Sequence, residues 1–187
     1  MALINGLVLV SSVWAREPVP VEWLPGARLD VAVLQIIDGD TIRVRRPSGV
    51  VDVRLHGIDA PEWDQKCLTR TGEKFACGKS AAEVLAGIIG ANSVPCRSDR
   101  MHGLCVLGGL PVTCEVLDID RKWGRPVARC FAGRIDMGWE MVSQGFAKSV
   151  YSADYASLAA TARLAKKGLW SGTFDDPARF RRGRAML

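Results

Sequence analysis

Between Leu29 and Leu55 the chain runs through three strand-like segments separated by two tight-turn signals, and this pattern constrains the fold more than any other feature. Leu29–Ile37 is rich in Val, Leu and Ile, and Asp38-Gly39 is a hairpin turn signal. In Thr41–Arg46, Ile42 and Val44 fall on one side and Arg43 and Arg45 on the other. Pro47-Ser48-Gly49 marks a second turn, after which Val51, Val53 and Leu55 alternate with Asp52, Arg54 and His56. A period of two is that of half-buried strands.

Downstream the period changes. Ala81, Val84, Leu85 and Ile88 follow helical spacing, with Gly90 as the stop. Two further strands, Val112–Ile119 and Pro126–Ala132, flank a turn, and Pro95–Pro111 before them reads as an insertion carrying Cys96 and Cys105. Asp136 is placed to cap a short helix that runs through Ser143 and ends at Gly145. A last helix is expected from near Ser152, with Tyr155, Leu158, Ala159 and Ala162 as its apolar stripe and Gly168 after the basic pair Lys166-Lys167. Three strands, a helix, two strands and two helices predict an α+β fold, a five-stranded OB-type β-barrel with about three helices.

The chain of 187 residues suits one domain with short extensions, and its 48% hydrophobic and 24% charged residues exclude a disordered chain. A net charge of +5 fits an anionic partner such as nucleic acid or a membrane surface, and equally fits simple solubility. His56 and His102 are the only histidines, which gives no basis for a histidine-metal nuclease site; both read as structural.

Residues 1–15, MALINGLVLVSSVWA, carry no charged side chain and are too short to span a bilayer, which takes ~20 apolar residues. They read as a signal peptide without its basic start, or else as an N-terminal hydrophobic segment. Residues 16–27, with Pro18, Pro20 and Pro25, read as a linker; 28–174 form the domain; 175–187 form a basic tail with Arg179, Arg181, Arg182 and Arg184, either solvated or assisting polyanion binding. Cys67, Cys77, Cys96, Cys105, Cys114 and Cys130 are even in number and contain no C-x-x-C pair, which favours disulfides over zinc. Cys114 and Cys130 are symmetric about Lys122 and would oppose each other in a regular hairpin, close enough for a bridge. Sequence proximity suggests Cys67–Cys77 and Cys96–Cys105, with the connectivity left open. Together these features predict an exported protein, secreted or periplasmic, with no membrane span in the mature chain.

Three clusters carry chemistry: Asp38-Gly39-Asp40-Thr41; Arg54 through Glu62, reading RLHGIDAPE; and Arg121-Lys122-Trp123-Gly124-Arg125. Asp40 and Asp59 stand at strand ends, where side chains can converge on a hard cation. Each cluster alone is weak evidence. In this order, and followed by Gln144-Gly145-Phe146-Ala147-Lys148 and Lys167-Gly168-Leu169-Trp170, they resemble the staphylococcal nuclease (thermonuclease) family over about residues 28–172. The resemblance implies a Ca²⁺-dependent endonuclease acting on DNA and RNA. By position it implies Asp40, Asp59 and the Ala60 carbonyl as Ca²⁺ ligands, and Glu62 as general base or water-positioning group. It implies Arg54 and Arg125 as the grip on the scissile phosphate, with Lys122, Trp123 and Tyr151 as substrate contacts. Such roles suit the chemistry: arginine's planar fork matches a phosphate, and a carboxylate beside a cation can take a proton from water. Ala60 departs from the family's best-known member, which has threonine there, and the turn before Arg125 holds an extra residue. The alternatives are a catalytically inactive OB-type module that binds nucleic acid or protein, and a membrane-tethered domain that retains its leader. No stable protein partner is expected, and the domain is expected to be a monomer.

Overall fold

The computed structural model describes residues 21–96 and 102–183. Residues 1–15, the first part of the 16–27 segment and Arg184 lie outside the described residues. Strands β1 (Arg28–Ile36), β2 (Thr41–Arg46) and β3 (Gly49–Leu55) form the antiparallel meander that the alternation predicts. Helix α1 (Cys77–Ile89) follows, then the hairpin of β4 (Leu104–Ile119) and β5 (Pro126–Ala132). Strand β4 pairs with β1 antiparallel, and β5 pairs with β3 in parallel, so the five strands close into a ring in the order β1-β2-β3-β5-β4. The α+β class and the OB-type arrangement expected from the element order are what the chain forms. Helices α2 (Met137–Ser143), α3 (Ala156–Leu164) and α4 (Pro177–Phe180) complete it, with α4 arising in the stretch read as a tail.

The inward residues of the strands, among them Val33, Ile36, Ile42, Val44, Val53 and Leu55, meet Ala81 and Leu85 of α1 and Met137 and Met141 of α2 in one core. Leu85 is fully buried; replacing such a leucine by alanine typically costs about 2–5 kcal/mol. Helix α1 ends where expected, because Gly90 adopts a left-handed φ of 69° and its N–H reaches the Ala86 and Gly87 carbonyls. Asp136 caps α2 by accepting from the Trp139 N–H at 3.0 Å. The third helix starts at Ala156 rather than near Ser152. Residues before it form a turn in which the Ser152 hydroxyl accepts from the Asp154 N–H, while Tyr155 is pinned by donating its hydroxyl proton to Asp136 at 2.9 Å.

Three stretches carry structure that their sequences do not suggest. Residues 21–27 are part of the domain rather than a linker: Trp23 is only 1% exposed, and the Gly26 N–H and Ala27 carbonyl bond to Val116. Residues 104–111, read as part of an insertion, continue β4 alongside β1 through Leu104↔Ile36, Cys105↔Gln35 and Leu110↔Val33. The ladder shifts register between Val33 and Gln35, opposite Gly108 and Gly109, whose positive φ values (80° and 68°) let the strand continue past them. Residues 175–180 fold onto the domain, with Asp175 and Pro177 buried, while Arg181, Arg182 and Gly183 are exposed.

All six cysteines are paired, as Cys67–Cys77, Cys96–Cys105 and Cys114–Cys130. Cys114 and Cys130 oppose each other in the β4–β5 ladder with Cα atoms 4.1 Å apart. The hairpin is not regular down to its turn: a bulge between Val116 and Asp118 shifts the register, so Ile119 opposes Pro126. Three disulfides fit an oxidising, exported environment. Among the described residues no helix is long and apolar enough to cross a membrane.

Candidate active site

The site forms where the β1–β2 turn meets the segment after β3. Asp-Gly at a hairpin suggests a glycine needed for positive φ, but Gly39 is not in that conformation. It is needed for close approach: a Cβ there would lie 2.7 Å from the Ala60 Cβ and 2.8 Å from the Ala81 Cβ. The turn therefore lies against Ala60 and α1, and Asp40 meets Asp59. The Asp40 carboxylate accepts from the Ala60 N–H at 2.9 Å and from the Thr41 hydroxyl at 2.9 Å, while the Asp38 carboxylate accepts from the Asp40 N–H. Asp59 is placed by pairing of Ile58–Asp59 with Lys148–Ser149.

Arg54 stands in the ladder between Thr41 of β2 and Val127 of β5. Its guanidinium donates to Asp40 at 3.1 Å, to Asp59 at 2.8 Å and to the Ile58 carbonyl at 3.2 Å. Both carboxylates are 2% exposed and Arg54 12% exposed, so this is a largely buried charge cluster. Burial opposes the charge on Arg54, but Asp40 and Asp59 outweigh it and hold the guanidinium's pKa above its usual value.

Glu62 is fixed through its backbone. Its carbonyl accepts from the Gln65 N–H at 2.8 Å, and its own N–H donates to the Gln65 side chain at 3.3 Å. The N-terminal turn of α1 presses on the same carbonyl: a Cβ on Gly78 would stand 1.7 Å from it. Burial is the largest influence on the Glu62 carboxyl and pushes its pKa up; the charges of Asp40 and Asp59 push it further, and the hydrogen bond and charge of Arg181 pull it back. Asp38 is raised well above the usual carboxylate value, first by burial and then by Asp40 and Glu62.

Arg125 reaches the cluster through Thr41, to whose hydroxyl its Nη1 donates at 3.4 Å, and lies 3.5 Å from Asp120. Asp120 organises the turn by accepting from the Lys122 and Trp123 N–H groups at 2.9 and 3.1 Å. The Lys122 ammonium lies 4.7 Å from the centroid of the Trp123 ring. Trp123 is 52% exposed and Tyr151 84% exposed, with Tyr151 at a left-handed φ of 62° directly after the segment that pairs with Asp59. The structure thus brings Asp40, Arg54, Asp59, Ala60 and Glu62 together, sets Arg125 beside them, and leaves Lys122, Trp123 and Tyr151 at the rim.

Sequence reasoning named Thr41 only as part of a motif, placed Arg181 in a tail either solvated or assisting polyanion binding, and gave no role to Gln65 or Gly78. Arg181 donates to Glu62 at 2.7 Å and lies 2.9 Å from Asp59. The two bonded residues are 119 positions apart, and one arginine among several in a basic stretch carries no signal of such a contact. For Thr41 the signal was present in the Asp-Gly-Asp-Thr run.

The donor set is all oxygen: Asp38, Asp40, Asp59 and Glu62 carboxylates and the Ala60 carbonyl, with every thiol locked in a disulfide. That chemistry suits a hard divalent cation; the Asp38 and Glu62 carboxyls are raised first by burial, with neighbouring carboxylate charge adding to it. Among the described residues no three His, Cys, Asp or Glu side chains are grouped so as to hold a metal ion, and Arg54 and Arg181 contact the Asp40, Asp59 and Glu62 carboxylates.

One curated relative is the succinoglycan biosynthesis protein ExoI of Rhizobium meliloti (strain 1021), 27% identical over 187 residues, covering 98% of this chain and 81% of that protein. The family described as staphylococcal nuclease homologue matches residues 52–172, a span that holds Arg54, Asp59, Glu62, Arg125 and the paired Lys148–Ser149 segment. With the match extending over more than half of its length, and the ring of strands beneath it, the chain belongs to the staphylococcal nuclease homologue family.

Proposed function

We propose that the protein is a calcium-dependent endonuclease that hydrolyses phosphodiester bonds in DNA and RNA by in-line attack of water. The observation that carries this reading is the convergence of Arg54, Asp40, Asp59 and Glu62 in one largely buried cluster, with Arg125 joined to it through Thr41. Asp40, Asp59 and the Ala60 carbonyl would hold Ca²⁺, which when bound supplies charge neutralisation at the phosphate and lowers the cost of ionising water. Arg54 and Arg125 offer guanidinium N–H groups to the phosphate oxygens on which charge grows. Glu62 accepts the proton of the attacking water, and its burial-raised carboxyl makes it a better base than an exposed glutamate. Lys122, Trp123 and Tyr151 would contact the nucleic-acid strand at the rim, where cations meet phosphates and aromatic faces stack on bases. The chain acts as a monomer outside the cytoplasm, after loss of residues 1–15.

Incubating DNA and RNA with the purified protein, in Ca²⁺ and in excess chelator, is the test. Cleavage of both substrates in Ca²⁺ alone is expected, and undiminished cleavage in chelator rejects the calcium reading.

A second reading is a catalytically inactive OB-type module. It is favoured by the internal satisfaction of Asp59 and Glu62 by Arg181, and by a relative whose name ties it to succinoglycan biosynthesis. Binding of nucleic acid without cleavage, at Ca²⁺ concentrations that saturate the site, would select it.

A further inference from the structure

The C-terminal segment, basic by composition, places Arg181 against the carboxylate cluster and is held there by a series of specific contacts. Thr173 exchanges two backbone hydrogen bonds with Leu68, at 2.8 and 2.9 Å. The Asp175 carbonyl accepts from the fully buried Gln65 side chain at 2.8 Å, the same glutamine that receives the Glu62 N–H. Asp176 pairs with Lys148, one residue of the segment that positions Asp59, and its carboxylate caps α4 by accepting from the Arg179 N–H. Helix α4 then delivers Arg181, whose Nη1 lies 2.7 Å from Glu62 Oε1 and 2.9 Å from Asp59 Oδ1. The residue falls beyond the 52–172 span of the family match.

We infer that Arg181 is a resident counter-cation of this site: it holds the Asp59 and Glu62 carboxylates together, and a divalent cation must displace it in order to bind. The inference rests on the calcium reading above. Arg54 already neutralises Asp40 and Asp59, so Arg181 is the cation that meets Glu62. One Nη1 group bridging two carboxylates stands where a hard cation of higher charge would draw the same oxygens to shorter range. A side chain carried on a short capped helix and 29% exposed can leave without unfolding the strand ring. Arg181 therefore sets the Ca²⁺ concentration at which the site loads and couples loading to release of the C-terminal arm.

Titration calorimetry of the full chain with Ca²⁺ tests this on wild type, Arg181→Gln and Arg182→Gln. Arg182 is exposed, and its replacement removes the same formal charge. Arg181→Gln is expected to bind Ca²⁺ roughly tenfold more tightly, the size of one charge-assisted hydrogen bond that no longer competes with the metal. Arg182→Gln is expected to stay within about twofold of wild type, as for a screened surface charge. Hydrogen exchange of wild type gives a second reading: Ca²⁺ should speed exchange of the amides of residues 178–183. Equal or weaker affinity in Arg181→Gln, an equal shift in Arg182→Gln, or unchanged exchange in this arm overturns the inference and leaves the calcium reading standing. No binding heat in either wild type or Arg181→Gln overturns the calcium reading, and the inference with it.

Discussion

Arg54 and Arg125, the two arginines proposed to grip the phosphate, are held in different ways. Arg54 lies mid-ladder, 12% exposed, with donor distances of 2.8–3.2 Å to two buried aspartates and a carbonyl. Arg125 stands where a turn enters β5, 22% exposed, with its contacts to Thr41 and Asp120 at 3.4 and 3.5 Å. Its buried Nε is the atom that faces Asp120 at 3.5 Å and makes no closer hydrogen bond. The first arginine neutralises the interior as well as facing a ligand. The second is loosely engaged and can move to meet one. One guanidinium is therefore central to the fold's charge balance, and the other contributes less to it.

The largest effect should come from Arg54→Ala, which leaves Asp40 and Asp59 buried without their shared cation. A loss of about 3–5 kcal/mol in denaturant unfolding is expected together with loss of cleavage. By contrast Arg125→Lys should lower turnover roughly 10²-fold or more while the unfolding midpoint stays put. Equal destabilisation by both substitutions would erase the distinction between the two arginines.

The Cys114–Cys130 bridge closes a loop that includes Arg125, with a sequence separation of 16. Replacing both by serine should cost about 3 kcal/mol by loop-closure entropy, seen as a lower Tm under non-reducing conditions. Turnover should fall further than stability alone explains, because the Arg125 turn loses its nearest covalent anchor; a variant of full activity at a temperature where it is folded would count against that.

Gly78→Ala probes the opposite region, where α1 fixes Glu62. Its Cβ would overlap the Glu62 carbonyl, so about 1–3 kcal/mol of overpacking cost is expected, with cleavage reduced and Arg125 unaffected. Wild-type cleavage by a folded Gly78→Ala protein would show that Glu62 does not need its present position.

A smaller effect concerns pH and the arm. Burial pushes the Asp176 carboxyl up, but the hydrogen bond and charge of Lys148 and the N–H groups of α4 outweigh it and hold the pKa below 3.8. A depressed folded-state value means that this contribution to docking is present above 3.8 and lost as pH falls through the lower folded value. Exchange protection of Arg179 and Phe180 should therefore be steady above that pH and fall below it; loss already near neutrality would contradict the assignment. The smallest stability changes, within about 0.5 kcal/mol, are expected for Trp123→Ala and Tyr151→Phe at the exposed rim, with any effect appearing in KM.

The strand meander, α1 and its glycine stop, and the β4–β5 hairpin were legible because period and capping residues act over a few neighbours. The candidate residues that meet in the charge cluster were legible as candidates because they sit in short motifs of fixed order, from Asp38 through Thr41 and from Arg54 through Glu62. The register of β4 before Pro111 was not, since Gly108, Gly109 and Pro111 look like breaks locally, and only the edge that β1 offers for pairing explains why the strand runs through them. Trp23 was hidden for a similar reason: its neighbours Pro18, Pro20 and Pro25 suggest a linker, and its burial depends on a cavity built by distant strands.

By itself the sequence determined which residue types could do chemistry and which segments would be strand, turn or helix, because these follow from side-chain identity and from the spacing of near neighbours. Tertiary structure alone decided the charge pairing. It brought Arg54 between Asp40 and Asp59, left Lys122 and Tyr151 at the rim, and carried Arg181 back across 119 residues to Glu62. A side chain's partner is set by where the ring of strands closes and which groups it excludes from water, and that closure is a property of contacts between residues far apart in the chain.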